Sequence, residues 1–299
     1  MPRALLAALL TLAVAAGCAG RASASGFTGG KLSVVTAFYP LQFLSERIGG
    51  ATVTVTNLTK PGAEPHDVEL NPRQVAQVAD AGLAVHLKGF QPAVDAAVKQ
   101  EAKGRSLDVA SVVGLLPYSG DEKGEDGAVD PHVWLDPVRF ATIAGAVGDR
   151  LAEADPAHAA DYRSRARNLQ DQLQDLSDGY AKSLATCQRR ELVTSHEAFN
   201  YLATRYGLTQ VGITGVSPEA EPSPRRLAEV ATVARDTGTT TIFFETLVSP
   251  KVAETIAHEV GAKTAVLDPL EGLTDKNADY FTVMQANLAA LTTALGCTT

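Results

Sequence analysis

Aromatic residues are few in this 299-residue chain, 6% with a single tryptophan, which leaves little to line a cleft for a small organic ligand. Basic residues are outnumbered: 26 Lys and Arg stand against 34 Asp and Glu, a net charge of −8. Such a balance disfavours the phosphate backbone of nucleic acid as a partner and is compatible with a cation. No internal repeat stands out. The H-E-x-x-H signature of zinc hydrolases is missing, because His196-Glu197 is followed at the required position by Asn200. The apolar run from Ala4 to Ala16 is too short to span a bilayer comfortably.

That run follows Arg3 and precedes a stretch of small residues, the pattern of an export leader over residues 1–25. Two processing routes are open. Ala15-Ala16-Gly17-Cys18 resembles a lipobox, in which Cys18 is lipidated and anchors the chain at the extracytoplasmic face of a membrane. Ala22-Ser23-Ala24 would instead release a soluble periplasmic or secreted chain. Either route leaves Cys187 and Cys297 in an oxidising compartment, where one disulfide between them is expected and two unpaired thiols are the alternative. The bridge would tie the C-terminus to the start of the second half of the chain.

Apolar runs of strand length alternate with helical patterns. Strands are expected at Leu32–Ala37, Thr52–Asn57, Leu83–Leu87, Leu107–Val109, Glu191–Ser195, Gln210–Ile213, Thr241–Glu245 and Thr264–Leu267. Helical segments such as Arg73–Ala81 and Pro224–Thr237 separate them. This alternation predicts an α/β protein with parallel sheets built from βα units. Between the two groups of strands, Pro137–Glu153 reads as a helix. Pro156 then opens a polar stretch that spaces Tyr162, Leu169, Leu173, Leu176 and Tyr180 at helical intervals. The expected helix is roughly 40 Å long. The layout is two lobes, residues 26–137 and 187–299, joined by a helical linker over 138–186. The acidic, Gly-rich stretch Ser119–Asp130 reads as a mobile loop.

Four residues share a setting that points to a metal site. His66 lies in Glu64-Pro-His-Asp67, His132 in Asp130-Pro-His-Val-Trp-Leu-Asp-Pro137, His196 in Thr194-Ser-His-Glu197, and Asp268 in Val266-Leu-Asp-Pro269. Each follows the C-terminal end of an expected strand or sits in a loop, where open α/β sheets bind ligands. Three imidazoles and one carboxylate close a tetrahedron around zinc. The other histidines lack this setting: His86 reads as a core residue, His158 and His258 as solvated. Glu245 ends a strand and is a candidate to orient His196. Asp130 and Asp136 flank His132 and either orient its ring or cap the turns beside proline.

These segments, with Ser217-Pro-Glu-Ala-Glu-Pro-Ser223 and Phe243-Phe-Glu-Thr246, resemble the metal-binding (cluster A-I) substrate-binding proteins of bacterial ABC importers for zinc and manganese. The resemblance runs from about residue 31 to residue 296. It implies two α/β lobes joined by one long rigid helix, a metal ion in the cleft between them, a monomer, and a membrane permease as partner. It also implies zinc: manganese-type members carry a carboxylate where this chain has His196, and manganese prefers oxygen-rich sites. The alternatives are a manganese-type protein or a metal-dependent adhesin, and further off a zinc hydrolase, which needs an open ligand position. One departure stands out. Many zinc members have a histidine-rich loop before the second ligand, whereas here the loop carries Asp121, Glu122, Glu125 and Asp126 and no histidine. It either gathers cations weakly or is simply solvated.

Overall fold

The computed structural model describes residues 26–118 and 129–298. The leader with Cys18 and the acidic loop up to residue 128 lie outside the described residues. Among the described residues, no helix is long and apolar enough to cross a membrane.

The first lobe begins with a short hairpin of β1 (Phe27–Thr28) and β2 (Lys31–Thr36), in which Phe27 pairs with Leu32. Then come α1 (Tyr39–Gly49), β3 (Val53–Asn57), α2 (Pro72–Asp80), β4 (Leu83–His86), α3 (Pro92–Glu101) and β5 (Ser106–Asp108). β2 lies centrally, with β3 parallel on one side and β4 then β5 parallel on the other. β4 is buried along its whole length, as expected of a strand covered on both faces. Asn71 and Gln74 form a reciprocal capping box at the start of α2, and Pro72 sits at its first position.

The linker is α4 (Pro137–Ala154), a turn at Pro156–His158, and α5 (Ala159–Ser183). The long helix therefore starts three residues later than Pro156 predicts, because the chain first makes a 3-10 turn there. At 25 residues α5 spans about 37 Å. Its buried stripe is Tyr162, Ala166, Leu169, Leu173, Leu176 and Tyr180, the spacing of one helical face. Gly148 on α4 lets Ala166 approach closely, since a Cβ at 148 would fall 2.6 Å from the Ala166 methyl. Arg165 on α5 bonds the carbonyls of Ile48 and Gly49 in the first lobe, and Tyr180 bonds the carbonyl of Met284 in the second. One helix thus grips both lobes.

The second lobe runs β6 (Glu191–Thr194), α6 (Asn200–Tyr206), β7 (Thr209–Gly212), α7 (Pro224–Asp236), β8 (Thr241–Phe244), α8 (Lys251–Val260), β9 (Lys263–Val266) and α9 (Tyr280–Leu295). Its sheet has the order β7-β6-β8-β9, all parallel. The first lobe repeats this order as β3-β2-β4-β5. Every expected strand is present, each within one residue of its predicted ends. Cys187 and Cys297 are joined by a disulfide that closes 110 residues of chain and pins the end of α9 beside the start of β6. A continuous apolar core passes from the first sheet through α4 and α5 to Tyr201, Phe243, Tyr280 and Leu291 in the second lobe. A smaller cluster around Val193, Ile213, Val230, Ile242 and Ile256 belongs to the second lobe alone. Both sheets aim the C-terminal ends of their strands toward the cleft, and the ligand-bearing loops leave from those ends.

Candidate metal centre

His66 stands in the loop between β3 and α2. Gln91 steadies that loop, donating from Nε2 to the Pro65 carbonyl at 2.9 Å and to the Thr59 hydroxyl at 3.0 Å. Glu64 accepts from the His66 backbone N–H at 2.9 Å, and the Phe90 ring packs edge-on against the imidazole at 4.7 Å. His132 precedes the short 3-10 turn Val133–Leu135 between β5 and α4. Asp130 Oδ1 accepts from both its backbone N–H at 2.9 Å and its ring Nδ1 at 2.8 Å. His196 leaves the end of β6, and its Nδ1 donates at 2.7 Å to Glu245 Oε1, one residue past β8. Ser195 donates to the same oxygen at 2.7 Å.

With Nδ1 committed to a carboxylate, His132 and His196 each turn Nε2 toward the cleft. This is the tautomer in which Nε2 has a lone pair for a metal. The fourth member of the cluster is Glu271. Its Oε1 lies 3.1 Å from His66 Nε2, 2.9 Å from His132 Nε2 and 3.3 Å from His196 Nε2. His132 Nε2 and His196 Nε2 are 3.4 Å apart. All four ligand atoms lie within 4.8 Å of one another. A tetrahedron with bonds of about 2.0–2.1 Å has edges of about 3.3–3.4 Å, so these groups close around a small cation with little movement. Glu64, Glu245 and Glu271 each keep one buried carboxylate oxygen with no hydrogen-bond partner. Three such oxygens around one cluster mark a site built for positive charge.

The electrostatics agree. Burial alone would raise the Glu271 pKa, but the His196 charge and the hydrogen bonds from His132, His196 and His66 hold it well below the usual carboxylate range. Burial would lower His196, yet Glu245 and Glu271 raise it well above the ordinary imidazole value. His132 is raised in the same way by its bonds to Asp130 and Glu271, against burial. For His66 burial prevails and the pKa falls. Glu64, buried and repelled by Glu271, is pushed up to about 8. The cluster is an anionic cage whose carboxylates favour positive charge at the imidazoles.

The structure brings His66, His132 and His196 together but not Asp268. That carboxylate accepts from the Leu270 backbone N–H at 2.8 Å and the Thr246 hydroxyl at 3.0 Å, while Asn287 of α9 holds its backbone N–H and carbonyl. Asp268 therefore shapes the loop that delivers Glu271 and is not itself in the cluster. Leu270 passes through the left-handed region at φ 60°, the only non-glycine residue to do so among the described residues, and this turns Glu271 inward. Sequence reasoning picked the carboxylate beside β9 and missed the one three residues on; Pro269-Leu-Glu-Gly272, a break followed by an acid, was the available signal.

Of the two roles expected for Asp136, the structure shows capping. Asp136 does not touch His132. It caps α4 through the N–H groups of Val138 and Arg139 and pairs with Arg205 of the second lobe through two bonds at 2.9 and 2.7 Å. Asp130 and Glu245 do contact the rings named for them. Of the remaining histidines, His86 is buried against Asp95 at 2.9 Å, His158 pairs with Asp155 at 2.7 Å, and His258 is exposed. Of the acidic loop, only Val129 and Asp130 are described.

The model of the family ZnuA, described as zinc-uptake complex component A, periplasmic, matches residues 34–294. The zinc-binding protein AdcA of Streptococcus pyogenes serotype M6 is 35% identical over 286 residues, covering 88% of this chain and 56% of the relative. The chain thus spans little more than half the length of that relative. The high-affinity zinc uptake system protein ZnuA of Bacillus subtilis is 35% identical over 305 residues, covering 97% of this chain and 96% of the relative. Among solved structures, the laminin binding protein (Lmb) of Streptococcus agalactiae, described as bifunctional with adhesin and metal transporting activity, superposes with a TM-score of 0.81 at 32% identity. It covers 88% of this chain and 99% of that one.

Proposed function

The chain belongs to the ZnuA family of periplasmic zinc-uptake components, and from that premise we propose that it captures one zinc ion between its lobes and delivers it to the membrane permease of an ABC importer. The observation that carries this reading is the buried convergence of His66, His132, His196 and Glu271, with ligand atoms within 4.8 Å of one another. These four are the proposed ligands. Asp130 and Glu245 are the proposed partners that set the tautomers of His132 and His196. Three nitrogens and one oxygen favour zinc over manganese. Four protein ligands leave no position for an activated water, which speaks against a hydrolase, and the zinc-uptake family makes the metal the cargo.

The division into lobes 26–137 and 187–299 with a helical linker over 138–186 is part of this reading, as are export, a lipid anchor at Cys18 and a monomeric state. The adhesin activity of the S. agalactiae protein is not carried over, because the likeness is one of overall fold and 32% identity, which carries no information about laminin. Elemental analysis of purified protein under zinc and manganese competition is the test. One equivalent of zinc retained against excess manganese is expected. Manganese that displaces zinc at comparable concentration, or zinc well below one equivalent, overturns the assignment.

A further inference from the structure

Tyr201 lies on α6, five residues after His196, and is buried. Its hydroxyl donates to the Asp130 carbonyl at 2.7 Å and accepts from the Leu116 backbone N–H at 2.7 Å. Leu116 and Asp130 face each other across the two stems of the acidic loop, where Pro117 and Val129 form an antiparallel bridge. The Asp130 N–H donates directly to the Leu116 carbonyl at 3.0 Å. In an ordinary antiparallel pair the opposing residues would exchange both bonds directly. Here one bond is direct and the other is relayed through a hydroxyl that comes from the other lobe. Burial raises the phenol pKa, so the hydroxyl keeps the proton it donates.

One turn further along α6, Arg205 makes its paired bonds to Asp136. The same helix face therefore holds both ends of the segment 130–136, and that segment carries His132. The Asp130 side chain passes the constraint to the His132 ring through the bonds at 2.9 and 2.8 Å. His196 lies just before α6 in the chain. The two buried imidazoles thus come from segments tied to each other through α6.

We propose that Tyr201 is a positioning residue for metal capture: its hydroxyl, supplied by the second lobe, holds the Asp130 backbone and through it keeps the His132 ring in ligating geometry. The inference rests on the zinc-binding reading above. Tyr201→Phe removes the hydroxyl alone and leaves a backbone N–H and a carbonyl without their partner. Zinc dissociation, followed by chase with an excess of a chromophoric chelator, should become about tenfold faster.

Tyr201→Phe should lose most of its effect in an Asp130→Ala background, where the link to His132 is already cut, falling to less than about twofold. A purely structural role would lower the melting temperature of the metal-free protein and leave dissociation unchanged, or would speed dissociation by the same factor in both backgrounds. Either result overturns the proposal, as does a Tyr201→Phe chain that no longer folds without metal. Wild-type protein that holds no zinc would instead refute the function itself. Wild-type protein that holds zinc, with an unchanged Tyr201→Phe variant, refutes only the role of Tyr201.

Discussion

Replacing Glu271 with Gln should separate it from Asp268 as the anionic ligand. Glu271 Oε1 touches all three imidazoles at 2.9–3.3 Å, so the substitution removes the one negative ligand and leaves a weakly donating amide oxygen. Structural zinc sites of four ligands bind with about 10–16 kcal/mol at neutral pH, an average of roughly 2.5–4 kcal/mol per ligand. At 1.4 kcal/mol per decade, Glu271→Gln should weaken zinc binding by about 10²–10³-fold. Asp268→Asn keeps an oxygen for the Leu270 N–H and the Thr246 hydroxyl, so its effect should stay within about tenfold, the lower end of what an outer residue contributes. Competition against a chelator of known affinity, with both variants shown to melt near the wild type, measures the two losses on one scale. A loss at Asp268→Asn that equals or exceeds the loss at Glu271→Gln would refute the assignment of Glu271.

Zinc affinity should rise with pH, because metal must displace protons from the imidazoles. His132 and His196 are held above the usual imidazole pKa, so their protons compete even above about pH 6.5. His66 is lowered and joins only in more acid solution. The slope of log affinity against pH should therefore be positive near neutrality and steepen toward three protons per zinc in acid; a flat profile from about pH 5 to 7.5 would exclude imidazole ligands. Thiol titration of denatured, unreduced mature protein should find no free thiol, and replacing both Cys187 and Cys297 with Ser should cost up to about 4–5 kcal/mol of stability for a loop of this length. Zinc should change the emission of Trp134, whose ring is 5.3 Å from the His132 ring and whose N–H bonds the Pro269 carbonyl in the Glu271 loop. Because the indole is already buried, intensity should change more than wavelength, saturating at one equivalent; no response in verified metal-free protein would count against His132.

Much of the fold could be read from local pattern. β4 and the middle of β6 carry buried apolar side chains because both faces of a parallel sheet are covered, and the stripe along α5 has the period of a helix packed on one side. The three histidines could be read because each sits in a distinctive segment next to proline or at a strand end. What escaped depends on contacts between distant residues. The break at Pro269-Leu-Glu-Gly272 marks a turn, but the left-handed backbone at Leu270 that carries Glu271 into the cleft is not announced by a leucine. Asp136 looks like a partner of His132 but is drawn to Arg205, 69 positions away. Tyr201 had no signal at all, since its two bonds run to the backbone of another lobe.

The most direct test is anomalous scattering at the zinc edge from crystals of zinc-loaded protein. One peak per chain is expected, within about 2.0–2.2 Å of the Nε2 atoms of His66, His132 and His196 and of a Glu271 carboxylate oxygen. A peak outside this cluster, or one bound by Asp268 in place of Glu271, would contradict the account.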